Sequence, residues 1–179
     1  MEVKHTKIKD CFILKPKVFH DARGYFMEAF NAQSFNAQTG LTIGFVQENE
    51  SESTFGVIRG LHAQEGSSAQ AKLVRVLKGV VLDVVVDFRQ ESATYLQHIC
   101  VKLSAENKQQ LFVPRGCLHG FSVLSESATF FYKCDNYYHK EAEIGFRFDD
   151  PHFNIDWQIS KEQAIISEKD LQLPFLKDL

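Results

Sequence analysis

Residues 72–88 read Lys72-Leu73-Val74-Arg75-Val76-Leu77-Lys78-Gly79-Val80-Val81-Leu82-Asp83-Val84-Val85-Val86-Asp87-Phe88. The first part is rich in Leu and Val, with cations only at Lys72, Arg75 and Lys78, and reads as a strand. Lys78-Gly79 then reads as a hairpin turn. The second part is almost continuously apolar and broken only by Asp83. That is the pattern of a central strand covered on both faces. Shorter runs rich in Val, Ile, Phe and Tyr flank it at 11–14, 25–30, 44–47, 57–62, 98–103, 110–113, 120–124, 129–133 and 144–148. Turn residues separate them. Helical pattern is confined to 32–39, closed by Gly40, and to a start at 160–164. Many short strands with few helices predict an all-β sandwich or barrel, of the jelly-roll kind.

The chain has 179 residues, 44% hydrophobic and 24% charged, with a formal net charge of -3. No linker, repeat or low-complexity stretch divides it, so one domain over 1–179 is expected. The sequence pI near 6.2 leaves no basic field for nucleic acid. No apolar run is long enough to span a membrane. Cys11, Cys100, Cys117 and Cys134 lie far apart without a C-x-x-C pair. With no apolar leader segment at the N-terminus, free thiols in a cytoplasmic setting are expected.

Reactive side chains concentrate in Arg59-Gly60-Leu61-His62, at Lys72, and in Pro114-Arg115-Gly116-Cys117-Leu118-His119-Gly120-Phe121. Strand alternation puts Arg59 with Leu61 and Gly60 with His62 on opposite faces. Taken singly, His62 reads as a hydrogen-bonded core histidine as readily as a ligand. With His119 and Lys72 on similar strands, a pocket becomes the better reading, because charge in an apolar interior is costly unless paired or bound.

The segment Pro114-x-Gly116-x-x-His119 resembles the second motif of the cupin jelly rolls, whose metal-binding members supply His-x-His in the first motif. Here that stretch reads His62-Ala63-Gln64, with no carboxylate in place, so neither a metal nor another cofactor is expected. A metal-free pocket with His, Lys and Tyr suits proton abstraction beside a carbonyl. A neutral His takes the proton, a Lys cation stabilises the enolate oxygen, and a Tyr returns a proton. Tyr132 and Tyr138 are the candidates for that last role, although either alone also reads as plain packing.

Motifs along nearly the whole chain resemble the dTDP-4-dehydrorhamnose 3,5-epimerase family. They run from Phe19-x-Asp21-x-Arg23-Gly24-x-Phe26-x-Glu28 through Gln47-x-Asn49-x-Ser51-x-Ser53 and Gly56-Val57-Ile58-Arg59-Gly60-Leu61-His62. Ala71-Lys72-Leu73-Val74-Arg75-Val76, Asp83-Val84-x-Val86-Asp87, His119-Gly120-Phe121, Tyr132-Lys133 and Ser167-Glu168-Lys169-Asp170 follow in order. The resemblance implies a cupin fold and double epimerisation of a dTDP-linked 4-keto-6-deoxy sugar through enolates. It implies His62 as base, Asp170 as its carboxylate partner, Lys72 at the enolate oxygen and Tyr132 as acid. Arg23, Glu28, Gln47, Asn49, Arg59, His119, Tyr138, Glu143 and Lys169 fall on its substrate-binding positions, with Tyr138 stacking on thymine. It further implies a homodimer whose N-terminal strands complete the partner's site. Ala63 stands where many relatives carry an aromatic. A mono-epimerase on a related sugar, and a cupin that binds a nucleotide sugar without catalysis, remain as alternatives.

Overall fold

The computed structural model describes residues 1–178. Leu179, the last residue of the expected domain, lies outside the described residues. The decisive stretch forms two strands, β7 (Lys72–Lys78) and β8 (Val80–Asp87). They are not a hairpin. β7 pairs with β10 (Gln110–Val113) and β12 (Ser127–Cys134), whereas β8 pairs with β11 (Cys117–Val123) and β9 (His98–Ser104). Gly79 therefore turns the chain from one sheet to the other instead of folding it back on itself. Its φ is 77°, and a Cβ there would stand 2.1 Å from the Ser127 carbonyl oxygen, so only glycine fits the corner.

The larger sheet runs β1 (Glu2–His5), β2 (Phe12–Lys15), β10, β7, β12, β5 (Gln47–Thr54). The smaller runs β13 (Glu143–Gly145), β6 (Ile58–Gln64), β11, β8, β9. Pairing between adjacent strands is antiparallel, and the chain crosses repeatedly between the two sheets, which makes a cupin-type jelly roll. β8 is buried along almost its whole length. Val81 and Val85 point into the core between the sheets, and Leu82, Val84 and Val86 into a second core outside the smaller sheet. Strand alternation thus supplies two apolar layers from one continuous run.

Three apolar layers hold the fold. Val74, Val76, Phe121 and Phe130 join the sheets. Phe146, Phe153 and Trp157 cover the outside of the smaller sheet. Phe35 of α1 (Ala32–Thr39) seals Phe12, Leu73 and Phe112 on the outside of the larger one. α1 begins at Asn31, whose side chain accepts from Ser34 N–H, and ends at Gly40 with φ 73°, the expected cap pair.

Two further local expectations fail. The strand expected at 44–47 lies at Gln47–Thr54, because Asn49 and Ser51 line a polar cleft and the buried Ser53 accepts from Arg59, which leaves no apolar alternation to read. No helix forms at 160–164. Two backbone N–H groups close a turn on Ser160, and Ile165 is drawn into a parallel bridge with Val57. The second helix is α2 (Glu168–Leu171), capped by Ser167.

A two-stranded hairpin, β3 (Val18–Asp21) and β4 (Gly24–Met27), forms a sheet of its own. It displays Phe19, Tyr25 and Phe26 to solvent, the last 70% exposed. Among the described residues no helix is long and apolar enough to cross a membrane, and all four cysteines are free.

Candidate active site

A cavity of about 530 Å³ opens between the two sheets, lined by Asn49, Arg59, His62, Lys72, His119, Tyr132, Lys169 and Asp170. A second, of about 290 Å³, shares Asn49, His62, Lys72 and Tyr132 and adds Gln47, Tyr138 and Glu143. All the expected site residues line this continuous cleft except Arg23 and Glu28. Arg23 sits at the hairpin tip, 90% exposed and paired with Asp21 at 2.6 Å. Glu28 accepts from Asn31 at 3.1 Å, beside Phe19 and Phe26.

Arg59 and His62 line the same cleft, contrary to simple alternation, while Leu61 points into the outer core. The register explains it. His119 faces His62 and Phe121 faces Arg59, so β6 carries one more residue than β11 across the interval. Such a bulge reverses the alternation. Backbones close in at that point. A Cβ on Gly60 would lie 2.6 Å from Gly120 Cα, at a φ of 126° that favours glycine.

His62 Nε2 is 2.9 Å from Asp170 Oδ1. The carboxylate arrives on α2, where the Ser167 hydroxyl caps Asp170 N–H at 3.1 Å. Gly60 N–H reaches Asp170 Oδ2 at 3.4 Å. Burial pushes the Asp170 carboxyl up, but its bond to His62 and the imidazole's charge outweigh that and hold it below the usual range. An ionised Asp170 accepts Nε2–H and leaves Nδ1 of His62 free of protein partners.

Lys72 and Tyr132 come from the opposite sheet. The Lys72 ammonium lies 5.9 Å from the centre of the Tyr132 ring. Burial lowers the Lys72 pKa, the nearby Cys134 and Asp83 opposing it. Burial raises that of Tyr132, which keeps its hydroxyl protonated. The two walls thus present an imidazole from one side and a phenol from the other.

His119 is held by a residue that sequence reasoning did not assign to the site. Its Nε2 is 2.9 Å from Asp83 Oδ1, and Asp83 is fully buried. The available signal was the carboxylate interrupting the apolar run of 80–86. Among the described residues no three His, Cys, Asp or Glu side chains gather as a metal-ligand set.

At the cleft's outer end, the Tyr138 hydroxyl donates to Glu143 at 2.7 Å, and Lys169 donates to both Glu143 oxygens at 2.7 Å. Burial raises the Glu143 carboxyl, and these two bonds reverse the shift to below the usual range. Gln47 accepts from Tyr138 N–H and donates to Asn49. Arg59 donates through two nitrogens to the Ser53 hydroxyl, each at 3.1 Å.

Fold and cleft together define a cupin whose cleft is lined by imidazole, ammonium and phenol groups. A family model described as dTDP-4-dehydrorhamnose 3,5-epimerase matches residues 5–178. A Shigella flexneri protein named dTDP-4-dehydrorhamnose 3,5-epimerase is 48% identical over 171 residues, covering 96% of this chain and 93% of its own. The crystal structure of the enzyme so named from Elizabethkingia anophelis superposes with a TM-score of 0.96 at 52% identity, covering 99% of this chain and 97% of that one. A Legionella pneumophila dTDP-6-deoxy-D-glucose-3,5-epimerase, solved in complex with dTDP-4-keto-L-rhamnose, gives 0.94 at 44% identity, covering 98% and 93%. The chain belongs to the dTDP-4-dehydrorhamnose 3,5-epimerase family.

Proposed function

We propose that the protein converts dTDP-4-dehydro-6-deoxy-D-glucose to dTDP-4-dehydro-L-rhamnose by inverting both carbons that flank the keto group. The observation that carries this reading is the placement of the His62–Asp170 pair on one wall of the cleft and Lys72 with Tyr132 on the other.

His62 Nδ1 takes the proton from a flanking carbon. Asp170 fixes the ring's orientation and stabilises the charge it gains. The electron pair moves onto the keto oxygen, where the Lys72 cation stabilises the enolate. Tyr132 delivers its hydroxyl proton to the opposite face of the carbon, which makes the net change an inversion. The same set serves the second carbon. Solvent restores both groups, so atoms and charges balance without a cofactor.

Tyr138 offers its ring to thymine, with Gln47, Asn49, Glu143 and Lys169 around the nucleoside end. Arg59 suits the diphosphate, for which a guanidinium fork makes paired bonds. Arg23 and Glu28 join the site in a homodimer, where the hairpin of one copy reaches the cleft of the other. The solvent-facing Phe19, Tyr25 and Phe26 support this reading. Residues 1–179 act as one catalytic domain, in the cytoplasm, a setting that the four free thiols support.

Proton NMR of the reaction in heavy water tests the proposal. Deuterium at both flanking carbons, with the L-lyxo product trapped by a downstream reductase, is the expected result. Incorporation at one carbon alone would place the protein among mono-epimerases. Substrate binding without incorporation would make it a non-catalytic nucleotide-sugar cupin.

A further inference from the structure

Asp83 occupies a costly position. It faces the core between the sheets, with Val81 and Val85 on the same strand face and Phe121 and Val101 opposite it on the neighbouring strands. Oδ1 meets His119 Nε2 at 2.9 Å. Oδ2 is buried without any hydrogen-bond partner. A carboxylate so enclosed costs more than the valine or leucine that would pack there, unless another group depends on it. The group it touches, His119, lines the cleft opposite Lys72 and Tyr132.

We propose that Asp83 is a positioning residue that makes His119 a hydrogen-bond donor toward the substrate's keto oxygen. This rests on the epimerase reading of the cleft. Enclosed and with Oδ2 unpartnered, the carboxyl stays neutral and donates Oδ1–H to Nε2, so the neutral imidazole carries its one hydrogen on Nδ1 and presents it to the cleft. As the enolate forms, that N–H strengthens its bond to the developing oxygen charge beside the Lys72 ammonium. No covalent bond to the protein forms, and the proton stays within the pair.

The contrast with the other pair supports the assignment. Burial pushes the Asp83 carboxyl up, and the nearby His119 and Lys72 only partly oppose it. The Asp170 carboxyl is held down instead. Two carboxyl groups pushed apart by their surroundings give one imidazole acceptor character and the other donor character toward the cleft.

The test has two arms, both on the full-length protein. In the first, nitrogen-15 NMR of histidine-labelled protein, without substrate, reads the two ring nitrogens of His119. A protonated Nδ1 in the wild type is expected. An unprotonated Nδ1 in the wild type would overturn the proposal, and this arm needs neither turnover nor a foldable variant.

In the second arm, Asp83→Leu, which removes the donor to Nε2, is expected to lower kcat by about 10- to 100-fold, with KM changed less than about threefold and exchange at the two carbons slowed alike, whereas Asp83→Asn, whose amide can still donate to Nε2, retains most of the activity. His119→Asn should behave like Asp83→Leu, and adding Asp83→Leu to it should cause little further loss. An unchanged kcat in Asp83→Leu, or independent additive losses in the double variant, would overturn the proposal. Wild-type protein without any exchange would count against the epimerase reading itself, and the first arm would still decide where the His119 proton lies.

Discussion

The two histidine–carboxyl pairs along the cleft, each 2.9 Å long, are built in opposite ways. His62 and Asp170 are 108 residues apart. Their imidazole remains 26% exposed, and the carboxylate rides on a one-turn helix at the cleft's edge. His119 and Asp83 sit on adjacent strands β11 and β8 and are almost wholly buried. The edge pair gives its carboxylate donors from Gly60 and His62, so ionisation is favoured. The buried pair gives its carboxyl a single partner, so burial dominates. Distance and residue type alone would call these pairs equivalent. Their surroundings fit one for taking a proton and the other for holding an oxygen.

Variants can break this comparison. The largest effect is expected from His62→Asn, with turnover falling about 10,000-fold while nucleotide-sugar affinity is kept. Steady-state kinetics alongside calorimetric binding checks it. Asp170→Asn keeps the imidazole but loses its acceptor, and should lower kcat by about 100-fold to 1,000-fold. An effect no larger than that of Asp83→Leu would erase the distinction between the pairs.

Gly60→Ala tests the bulge that brings Arg59 and His62 into one cleft. The added methyl meets the Gly120 backbone in a strained conformation, and a stability loss of about 3 kcal/mol is expected in urea unfolding. A neutral result would show that β6 can shift without cost.

The smallest effect concerns acid. Asp170 is depressed in the folded state, so its stabilising contribution is complete above the ordinary carboxylate range and disappears as pH falls through the folded value. The stability gap between wild type and Asp170→Asn should close as pH is lowered from neutral. A gap that widens would reverse the assigned sign.

Much of this architecture is legible in residues 72–88. The covered strand β8 follows from its apolar run, and Lys72 and Tyr132 fall on strands read from composition. The turn at Gly79 is misread because a hairpin and a crossover between sheets use the same residues, and only the pairing partners differ. β5 is hidden because a strand lining a polar cleft loses its apolar alternation. The bulge at Gly60 is invisible because alternation is counted along one strand, whereas the extra residue exists only relative to β11. Asp170 lies too far along the chain from His62 to be paired by local pattern, and the family resemblance supplied it. Asp83 was visible as a break in an apolar run, but its partner emerged only from the strand register. Arg23 and Glu28 were named by resemblance, yet the single chain leaves them outside the cleft.

The most direct measurement is site-resolved proton exchange in heavy water, followed at each flanking carbon for His62→Asn and His119→Asn. The division of roles predicts that His62→Asn loses exchange at both carbons, while His119→Asn slows both by a similar factor. Exchange that survives at one carbon in His62→Asn, and disappears at that same carbon in His119→Asn, would contradict it. Each histidine would then be a base for its own carbon.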